Sequence, residues 1–494
     1  MTRKKKLFLN TFTGIIKQIV TVICGFILPR YMLLYYGSSV NGLISAITNF
    51  LGFISLLDMG VGAVIQANLY KPLAQKDNDQ ISRIILSSER FFRRLGYIFL
   101  GYIGILCFVF PTVINTTYDK WFTASLVIII AISTLAQYLY GMTYELLLNA
   151  DQKSYIQLII QIGTIILNTV FTIILIKMGM SVHVVKLTTA TFYVLRPLVQ
   201  AAYVRKHYQI NRKIKVEGEP IKQKWNGFSQ HLAAVICQNI DMAVLTFFST
   251  LKNVSIYSVY YNVTNGVEQI IMTAATGIES LFGNMIANNE HEKLLKTFSI
   301  VEWTTHVGVT GIFTIAAITI SPFIAVYTRG INDANYIVPI FGFILVTAYA
   351  VQCLRIPYFR IIKAAGHFKE TQNGAYISAV LNVIITVGTV FEFGLVGAAV
   401  GTLIAMLYHT CYFAWYLRRN IIKRSIIYFI KYLITDSIIA ILSFLCTRQF
   451  ELNSLNYIAW VILALKVGLV VLGISIVINI IFYRKIIAIV LKKY

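Results

Sequence analysis

The sequence predicts an all-α integral membrane protein with about fourteen transmembrane helices, and three observations support this fold class. The chain has 494 residues, of which 57% are apolar and 13% are charged, and its mean hydropathy is +0.71. Apolar stretches long enough to cross a bilayer recur along its whole length. Lysine and arginine are concentrated in alternate connections between these stretches, as the positive-inside rule describes.

The predicted spans are joined by short outer connections and by longer, basic inner connections. The clearest inner connection is residues 205–224, which contain seven Lys and Arg residues together with Gly218 and Pro220. Because the basic side is cytoplasmic, the pattern places both termini in the cytoplasm. The net charge of +23 then reflects topology and attraction to anionic lipid headgroups, and we expect no nucleic-acid partner. The spans lie at about 8–30, 41–67, 92–114, 122–146, 155–178, 182–204, 229–250, 256–287, 298–321, 335–360, 371–392, 394–417, 426–447 and 457–483.

The second predicted span carries a polar stripe along one helical face. From Asn41 to Gln66, small or polar residues recur at alternating steps of four and three. In a bilayer such a face must turn toward protein or toward a wet cavity. At six of its positions, a small or polar residue also occurs 214 residues later, in the eighth span. The first stripe comprises Asn41, Ser45, Thr48, Gly52, Ser55, Met59, Gly62 and Gln66, and the second comprises Asn262, Gly266, Gln269, Thr273, Thr276 and Ser280.

The repeated stripe predicts two similar six-helix lobes that enclose a hydrophilic space. Asn168 and Asn382 match at the same spacing, as do Tyr144 and Tyr358. Six spans is an even number, so both lobes would enter the membrane from the same side. We therefore predict an N-lobe at 1–204 (helices 1–6), a basic cytoplasmic linker at 205–224, a C-lobe at 225–418 (helices 7–12) and helices 13–14 at 419–494.

The sequence contains a packing motif but no catalytic or metal-binding motif. Gly397 and Gly401 form a GxxxG step on the twelfth span, which we expect to pack closely inside the protein. The seven histidines show no HxxxH or HExxH spacing, and the six cysteines form no CxxC. There is no Walker A loop and no paired-carboxylate loop. We therefore expect a protein that is not an enzyme and that has no metal or cofactor.

The run YYGSSVNGLISAITNFLGFISLLDMGVGAVIQANLYKPLA resembles the start of the O-antigen and capsule flippases, the Wzx group. That family has a glycine-containing turn, a helix and then a D-x-G-x-G-like step. Gly37, Gly42, Asp58, Gly60 and Gly62 stand in those places. The count of six, six and two spans extends the resemblance over the whole chain. The group is similar to multidrug (MATE) antiporters and to the peptidoglycan-precursor flippase, with which it forms the MOP superfamily.

The resemblance implies a V-shaped protein that alternates between inward-open and outward-open states. Its implied activity is to flip undecaprenyl-pyrophosphate-linked oligosaccharide repeat units from the cytoplasmic to the outer leaflet of the bacterial cell membrane. The product would serve capsule, O-antigen or exopolysaccharide synthesis. The implied partners are this lipid-linked substrate, membrane lipids and the polymerase of the same pathway, and we expect a monomer.

A diphosphate substrate requires cations, and a cation inside a span is costly unless it faces the protein interior. Lys17 is either a diphosphate contact, a snorkelling lysine or the partner of a carboxylate. Arg196 and Arg355 each precede a proline and are either cavity contacts or arginines near the membrane boundary. Arg30 is either an outer cavity contact or an interfacial anchor. Lys466, on the fourteenth span, is expected to lie away from the cavity. The candidate substrate-binding cations are therefore Lys17, Arg30, Arg196 and Arg355.

Acidic residues in the spans are interpreted as sites for H⁺ or Na⁺ coupling, as partners of cavity cations or as structural hydrogen-bond acceptors. Asp241 stands in the middle of the seventh span beside Gln238 and Asn239. Drive by the membrane potential is the alternative to ion coupling. The candidate acids are Asp58, Asp241, Glu268 and Glu279. The predicted cavity-lining polar residues are Thr21, Asn41, Ser45, Thr48, Ser55, Gln66, Asn262, Gln269, Thr273 and Ser280.

Two other function classes remain as alternatives to a flippase. A MATE-like, cation-coupled efflux antiporter is expected to have twelve spans and an acid-rich, cation-poor cavity. An integral membrane polysaccharide polymerase or glycosyltransferase is expected to carry catalytic residues, usually in a large outer loop. The extra two spans and the interior cations favour the flippase, and no predicted outer connection exceeds about a dozen residues.

Overall fold

The computed structural model describes residues 3–58, 61–114, 118–214, 228–275 and 277–491, and the regular elements in these ranges are all helices. Eleven helical segments in these ranges are long and apolar enough to cross a bilayer, which confirms the all-α membrane fold class. The helices are α1 (Arg3–Gly52), α2 (Val61–Gln75), α3 (Asn78–Val113), α4 (Lys120–Ala136), α5 (Met142–Ala150), α6 (Ser154–Lys177), α7 (Val182–His207), α8 (Phe228–Phe248), α9 (Leu251–Ala274), α10 (Ile278–Ala287), α11 (His291–Tyr327), α12 (Pro339–Leu354), α13 (Ile356–Ala364), α14 (Phe368–Phe393), α15 (Leu395–Asn420), α16 (Ile427–Thr447) and α17 (Tyr457–Leu491).

The eleven segments correspond to the fourteen predicted spans in a simple way. The first segment, Phe8–Leu57, contains the first predicted span and the larger part of the second, because α1 continues past Gly37. The end of the second span lies in α2. The helix α7 carries Lys186 and Arg196, and the apolar part of α8 runs only from Leu232 to Phe248. These helices account for the remaining two spans. Helical structure follows from the composition, because a chain in lipid must satisfy its backbone hydrogen bonds within each segment.

The chain divides into two compact units. The N-terminal unit comprises Met1–Val235 with Thr250–Lys252. The C-terminal unit comprises Ile236–Ser249 with Asn253–Tyr494. Within the C-terminal unit, α17 packs on α11 through an apolar cluster that includes Leu463, Val467 and Val471.

The helices that carry the two polar stripes are interrupted, which corrects the expectation of one continuous helix for each stripe. In the N-terminal unit, α1 breaks at Gly37 (φ 80°), and a 3₁₀ segment (Phe53–Asp58) precedes α2. In the C-terminal unit, α9 ends before Gly277, which has φ 92° and precedes α10. Only glycine adopts such φ values at little steric cost. The stripes are therefore not single helical faces from end to end.

The predicted repeat is visible as matching hydrogen bonds inside the two units. In the N-terminal unit, Thr172 donates to Asn168 Oδ1 over 3.1 Å. In the C-terminal unit, Thr386 donates to Asn382 Oδ1, also over 3.1 Å. Both threonines and both asparagines are 214 positions apart. The sequence echo therefore corresponds to the same local contact in each unit.

A cluster around Asp151 fixes the beginning of α1 to the turn between α5 and α6. Lys6 Nζ lies 3.0 Å and Lys153 Nζ lies 2.7 Å from the Asp151 carboxylate, and the Tyr208 hydroxyl donates to it over 2.6 Å. Burial alone would raise the pKa of the Asp151 carboxyl, but the hydrogen bonds from Lys153, Tyr208 and Lys6 hold it below its usual value. This anchor positions α1, which carries Lys17.

The GxxxG step packs inside the chain, against α14. A Cβ atom at Gly397 would collide with the backbone of Thr389, and one at Gly401 would collide with Thr386. Overpacking of this kind typically costs about 1–3 kcal/mol.

We expect Gly401→Ala to lower the thermal stability of the purified protein clearly. Gly388→Ala is the matched control, because a Cβ there has no neighbour within 4 Å. Equal melting temperatures for the two variants would contradict the close approach of α14 and α15.

Candidate functional site

In the N-terminal unit, two of the predicted cations lie around one carboxylate. Glu145, on α5, lies within electrostatic range of both Arg196 on α7 and Lys17 on α1. Gln137, in the π-helical segment that joins α4 to α5, donates to the Glu145 carboxylate over 2.9 Å. Single π-helical turns inside α-helices are frequent at functional sites. The arrangement leaves more positive than negative charge at this place in the bilayer-spanning part of the unit.

Arg196 is held in a defined orientation. Its Nε donates to the Thr164 hydroxyl over 2.7 Å, and its guanidinium carbon lies 3.8 Å from the centroid of the Tyr193 ring. Arg196 also hydrogen-bonds with the Tyr193 side chain. A guanidinium has about five N–H donors, so further donors remain for a ligand. Lys17 is half-buried. It interacts electrostatically with Glu145 but forms no ion pair with any residue in the described part of the chain. One turn along α1, the buried Thr21 hydroxyl has no hydrogen-bond partner there.

In the C-terminal unit, Asp241 is a buried carboxylate surrounded by hydroxyl groups. It is 2% exposed. Tyr257 donates to it over 2.9 Å, Thr402 donates to it as well, and the Thr386 hydroxyl, which donates to Asn382, lies 3.4 Å from it. Among the described residues, no Lys, Arg or His forms an ion pair with Asp241. A buried carboxylate without a cationic partner is costly, so a proton or a bound cation would stabilise this position.

The close approach of α14 and α15 builds this site. Gly401 has no side chain, so the backbone of α15 reaches the Thr386 side chain, and the neighbouring Thr402 can then reach Asp241. Asn382 lies beside them and donates to the backbone carbonyl of Cys237 over 3.4 Å. Carboxylate, hydroxyl and amide oxygens are the ligands that hard cations prefer. No group of three or more His, Cys, Asp or Glu side chains capable of holding a metal occurs in the described ranges.

A second polar cluster in the C-terminal unit contains Arg355 and Glu268. Arg355 lies at the junction of α12 and α13, two residues before Pro357 in the first turn of α13. Its Nη1 donates to His409 Nδ1 over 2.6 Å, so the proton of that imidazole is on Nε2. Glu268 accepts from Gln352 over 2.6 Å and interacts electrostatically with Arg355 without forming an ion pair.

The remaining charged candidates lie elsewhere. Arg30 is half-buried on α1, directly after Pro29. Glu279, on α10, forms ion pairs with Arg360 (3.1 Å) and Lys363 (3.2 Å), so its charge is already balanced within the unit. The Asp58 side chain is outside the described part of the structure.

The predicted polar lining residues are divided between buried and exposed positions. Asn41 is buried, and Ser45, Ser55 and Gln66 are half-buried. Thr48 is exposed and bonds to its own helix. The second stripe is exposed at all its candidate positions, namely Asn262, Gln269, Thr273 and Ser280. The stripe members Met59 and Thr276 lie outside the described residues.

A Glu–Tyr–Arg cluster is repeated in the two units. In the N-terminal unit, Tyr144 donates to Glu89 over 2.8 Å, and Arg212 pairs with Glu89 at 3.2 Å. In the C-terminal unit, Tyr358 donates to Glu302 over 2.8 Å, and Arg424 pairs with Glu302. The two tyrosines are 214 positions apart. Sequence reasoning paired the tyrosines but missed their charged partners.

Comparisons with known proteins show the fold. No family model matches the sequence, and no curated protein matches it. Lipid II flippase MurJ in an inward closed conformation matches with a TM-score of 0.69 and 15% identity, over 97% of this chain and 100% of that chain. An inward-facing MATE multidrug transporter matches with a TM-score of 0.57 and 13% identity, over 82% of this chain and 94% of that chain. An outward-facing MATE multidrug transporter matches with a TM-score of 0.56 and 15% identity, over 83% of this chain and 96% of that chain. The chain therefore has the same fold as these proteins.

Proposed function

We propose that this protein is a flippase for undecaprenyl-pyrophosphate-linked oligosaccharide repeat units. It would move them from the cytoplasmic to the outer leaflet of the bacterial cell membrane for capsule, O-antigen or exopolysaccharide synthesis. The observation that carries the proposal is the match over nearly the whole chain to a structure described as a lipid II flippase. Lipid II joins a polyprenyl diphosphate to a sugar, which is the same chemical class as the proposed substrate. The MATE structures cover a smaller share of this chain.

The charges of the N-terminal unit support a diphosphate ligand. Lys17 and Arg196 flank a single carboxylate, Glu145, so the cluster has a net positive charge. Arg196 keeps unused guanidinium donors beside its contact with Thr164. An arginine and a lysine together provide a bidentate contact and a point charge for phosphate oxygens. A transporter of organic cations would be expected to present the opposite charge balance.

Asp241 supports coupling of substrate movement to Na⁺ or H⁺. Its carboxylate is buried among hydroxyl donors and has no cationic side chain as a partner in the described residues. Binding and release of a cation there would change the charge of the C-terminal unit in each transport cycle. The same feature suits a cation-coupled multidrug antiporter, so this alternative is tested together with the flippase. Under this proposal both termini are cytoplasmic, which the basic connections in the sequence support.

Reconstitution into liposomes tests the proposal directly. The probe is a synthetic undecaprenyl-pyrophosphate-linked disaccharide with a fluorescent label on the sugar, and leaflet exposure is read by quenching with dithionite. We expect the wild-type protein to equilibrate the probe between leaflets, and ethidium uptake into the same vesicles to stay at background. Ethidium transport without movement of the lipid-linked probe would contradict the flippase and support the antiporter.

Lys17 is the first residue to change in this assay. We expect Lys17→Ala and Lys17→Glu to slow movement of the probe by about tenfold or more, because a hydrogen bond to a charged group is worth about 1.5–3 kcal/mol. Lys17→Arg keeps the charge and should retain most of the rate. The variants must elute as monodisperse protein with unchanged helical content. Wild-type rates in Lys17→Glu would contradict a phosphate contact at this position.

A further inference from the structure

A pocket of about 520 Å³ lies at the beginning of α17, beside the connection that follows α16. It belongs to the C-terminal unit alone. Six polar side chains line it together with apolar groups of α17 such as Ile462 and Leu463. Two of them, Ser454 and Asn456, bond within the turn itself. The other four are Gln449, Glu451, Asn453 and Lys466.

The connection that forms the rim is held in place by its own hydrogen bonds. The Asn456 side chain accepts from the backbone N–H of Ala459 over 2.7 Å and so caps the first turn of α17. Arg329 donates to the backbone carbonyl of Leu455 over 3.0 Å. The Trp460 indole donates to the carbonyl of Thr319 over 3.1 Å. The pocket is therefore formed by a fixed turn that does not require a ligand for its shape.

The charged side chains that line the pocket have no bonding partner among the described residues. Neither Lys466 nor Glu451 forms a hydrogen bond or an ion pair with any described residue, and the same holds for Gln449 and Asn453. The pocket therefore offers one ammonium, one carboxylate and two amides to a ligand. A ligand that matches them carries both a negative and a positive charge together with hydrogen-bonding oxygens.

Lys466 lies among residues of α17 that face lipid. It is the sole charged residue between Tyr457 and Tyr483 in the sequence. It lies nine residues after the start of α17, about 13 Å along the helix. Its neighbours Leu465 and Leu469 are 64% and 72% exposed, which is the exposure of a surface that faces acyl chains. An ammonium at this depth is unfavourable unless it reaches polar partners at the membrane interface, and the phosphate of a lipid headgroup is one such partner.

We propose that this pocket binds the headgroup of a membrane phospholipid that carries both a phosphate and a primary amine. The phosphate contacts Lys466, the amine contacts Glu451, and the acyl chains lie along the exposed apolar face of α17. The site is separate from the cation clusters assigned to the transported substrate, and it is not expected to bind a polyprenyl diphosphate, which has no amine.

Lipid retention by the purified protein tests the proposal. The full chain is extracted from liposomes with equal amounts of phosphatidylethanolamine, phosphatidylglycerol and phosphatidylcholine, and bound lipid is measured by mass spectrometry. We expect enrichment of phosphatidylethanolamine, and a loss of about fivefold in Lys466→Met, because one lysine near a lipid surface contributes about this factor. Lys466→Arg should retain the lipid. Glu451→Gln should remove the preference for phosphatidylethanolamine over phosphatidylglycerol.

The controls separate this site from other sources of the same chemistry. Lys120→Met removes an exposed lysine outside the pocket and should leave retention unchanged. Equal retention of the three lipids by the wild-type protein would overturn the proposal. Displacement of the bound lipid by inorganic phosphate, or by undecaprenyl diphosphate, would also overturn it. If Lys466→Met fails to fold, Lys466→Arg and Glu451→Gln still decide the question through their lipid preference.

Discussion

Replacing Asp241 with asparagine is expected to abolish both the stabilisation of the protein by Na⁺ and the acceleration of transport by a Na⁺ gradient. The wild-type carboxylate is buried, and Tyr257, Thr386 and Thr402 direct their hydroxyl groups toward it. A cation that binds only the folded protein stabilises it by about 2.7 kcal/mol at a hundred times its dissociation constant. The measurement is thermal melting in sodium chloride against choline chloride at equal ionic strength. The neutral amide keeps the size of the side chain but removes the charge that holds the cation.

Two controls make this result specific to the site. Thr402→Val removes one oxygen ligand at nearly constant volume, and it should weaken the Na⁺ effect without eliminating it. Glu279→Gln removes a carboxylate that is already paired with Arg360 and Lys363, and it should leave the Na⁺ effect unchanged. A Na⁺ effect that persists in Asp241→Asn would contradict the assignment. A wild-type protein that ignores Na⁺ but is driven by a proton gradient would assign the site to a proton.

The fold class followed from the sequence because the bilayer imposes it. Long apolar segments must become helices in lipid, and basic connections fix their order. The interruptions of the helices could not be predicted from the sequence in the same way. The sequence has 30 glycines, and only six of those in the described ranges adopt positive φ. Gly37 and Gly277 do so, whereas Gly401 serves close packing between helices. The tertiary contacts of each glycine decide between these roles.

The candidate site was only partly predictable for a similar reason. Asp241 was identified because an ionisable residue in a span is costly and therefore informative. Its threonine partners carried no such signal, because a threonine in a helix ordinarily bonds to a carbonyl of the preceding turn, as Thr48 and Thr273 do. Thr402 instead reaches Asp241, which lies 161 residues earlier in the chain. The approach of α14 and α15 brings these residues together, and neither helix reveals it alone.

The repeated Glu–Tyr–Arg cluster predicts a large difference between two equivalent substitutions. We expect Arg424→Met to destabilise the protein by about 3–5 kcal/mol, because it leaves a fully buried carboxylate, Glu302, without its cation. Arg212→Met should cost less than about 1 kcal/mol, because the Arg212 side chain is 50% exposed and solvent screens its pairing with Glu89. Unfolding by denaturant in detergent micelles, followed by loss of helical signal, measures both values.

The physical cause of the difference can be tested by removing both partners of the buried pair. Arg424→Met combined with Glu302→Leu eliminates the uncompensated charge, so the double variant should recover part of the stability that Arg424→Met alone loses. Recovery is expected to be incomplete, because the Tyr358 hydroxyl also donates to Glu302 and would lose its acceptor. His306 lies 3.3 Å from the same hydroxyl and 2.6 Å from Asp436 on α16, so the loss should extend to the packing of α16 on α11. Equal destabilisation by Arg212→Met and Arg424→Met would show that burial does not control the strength of these pairs.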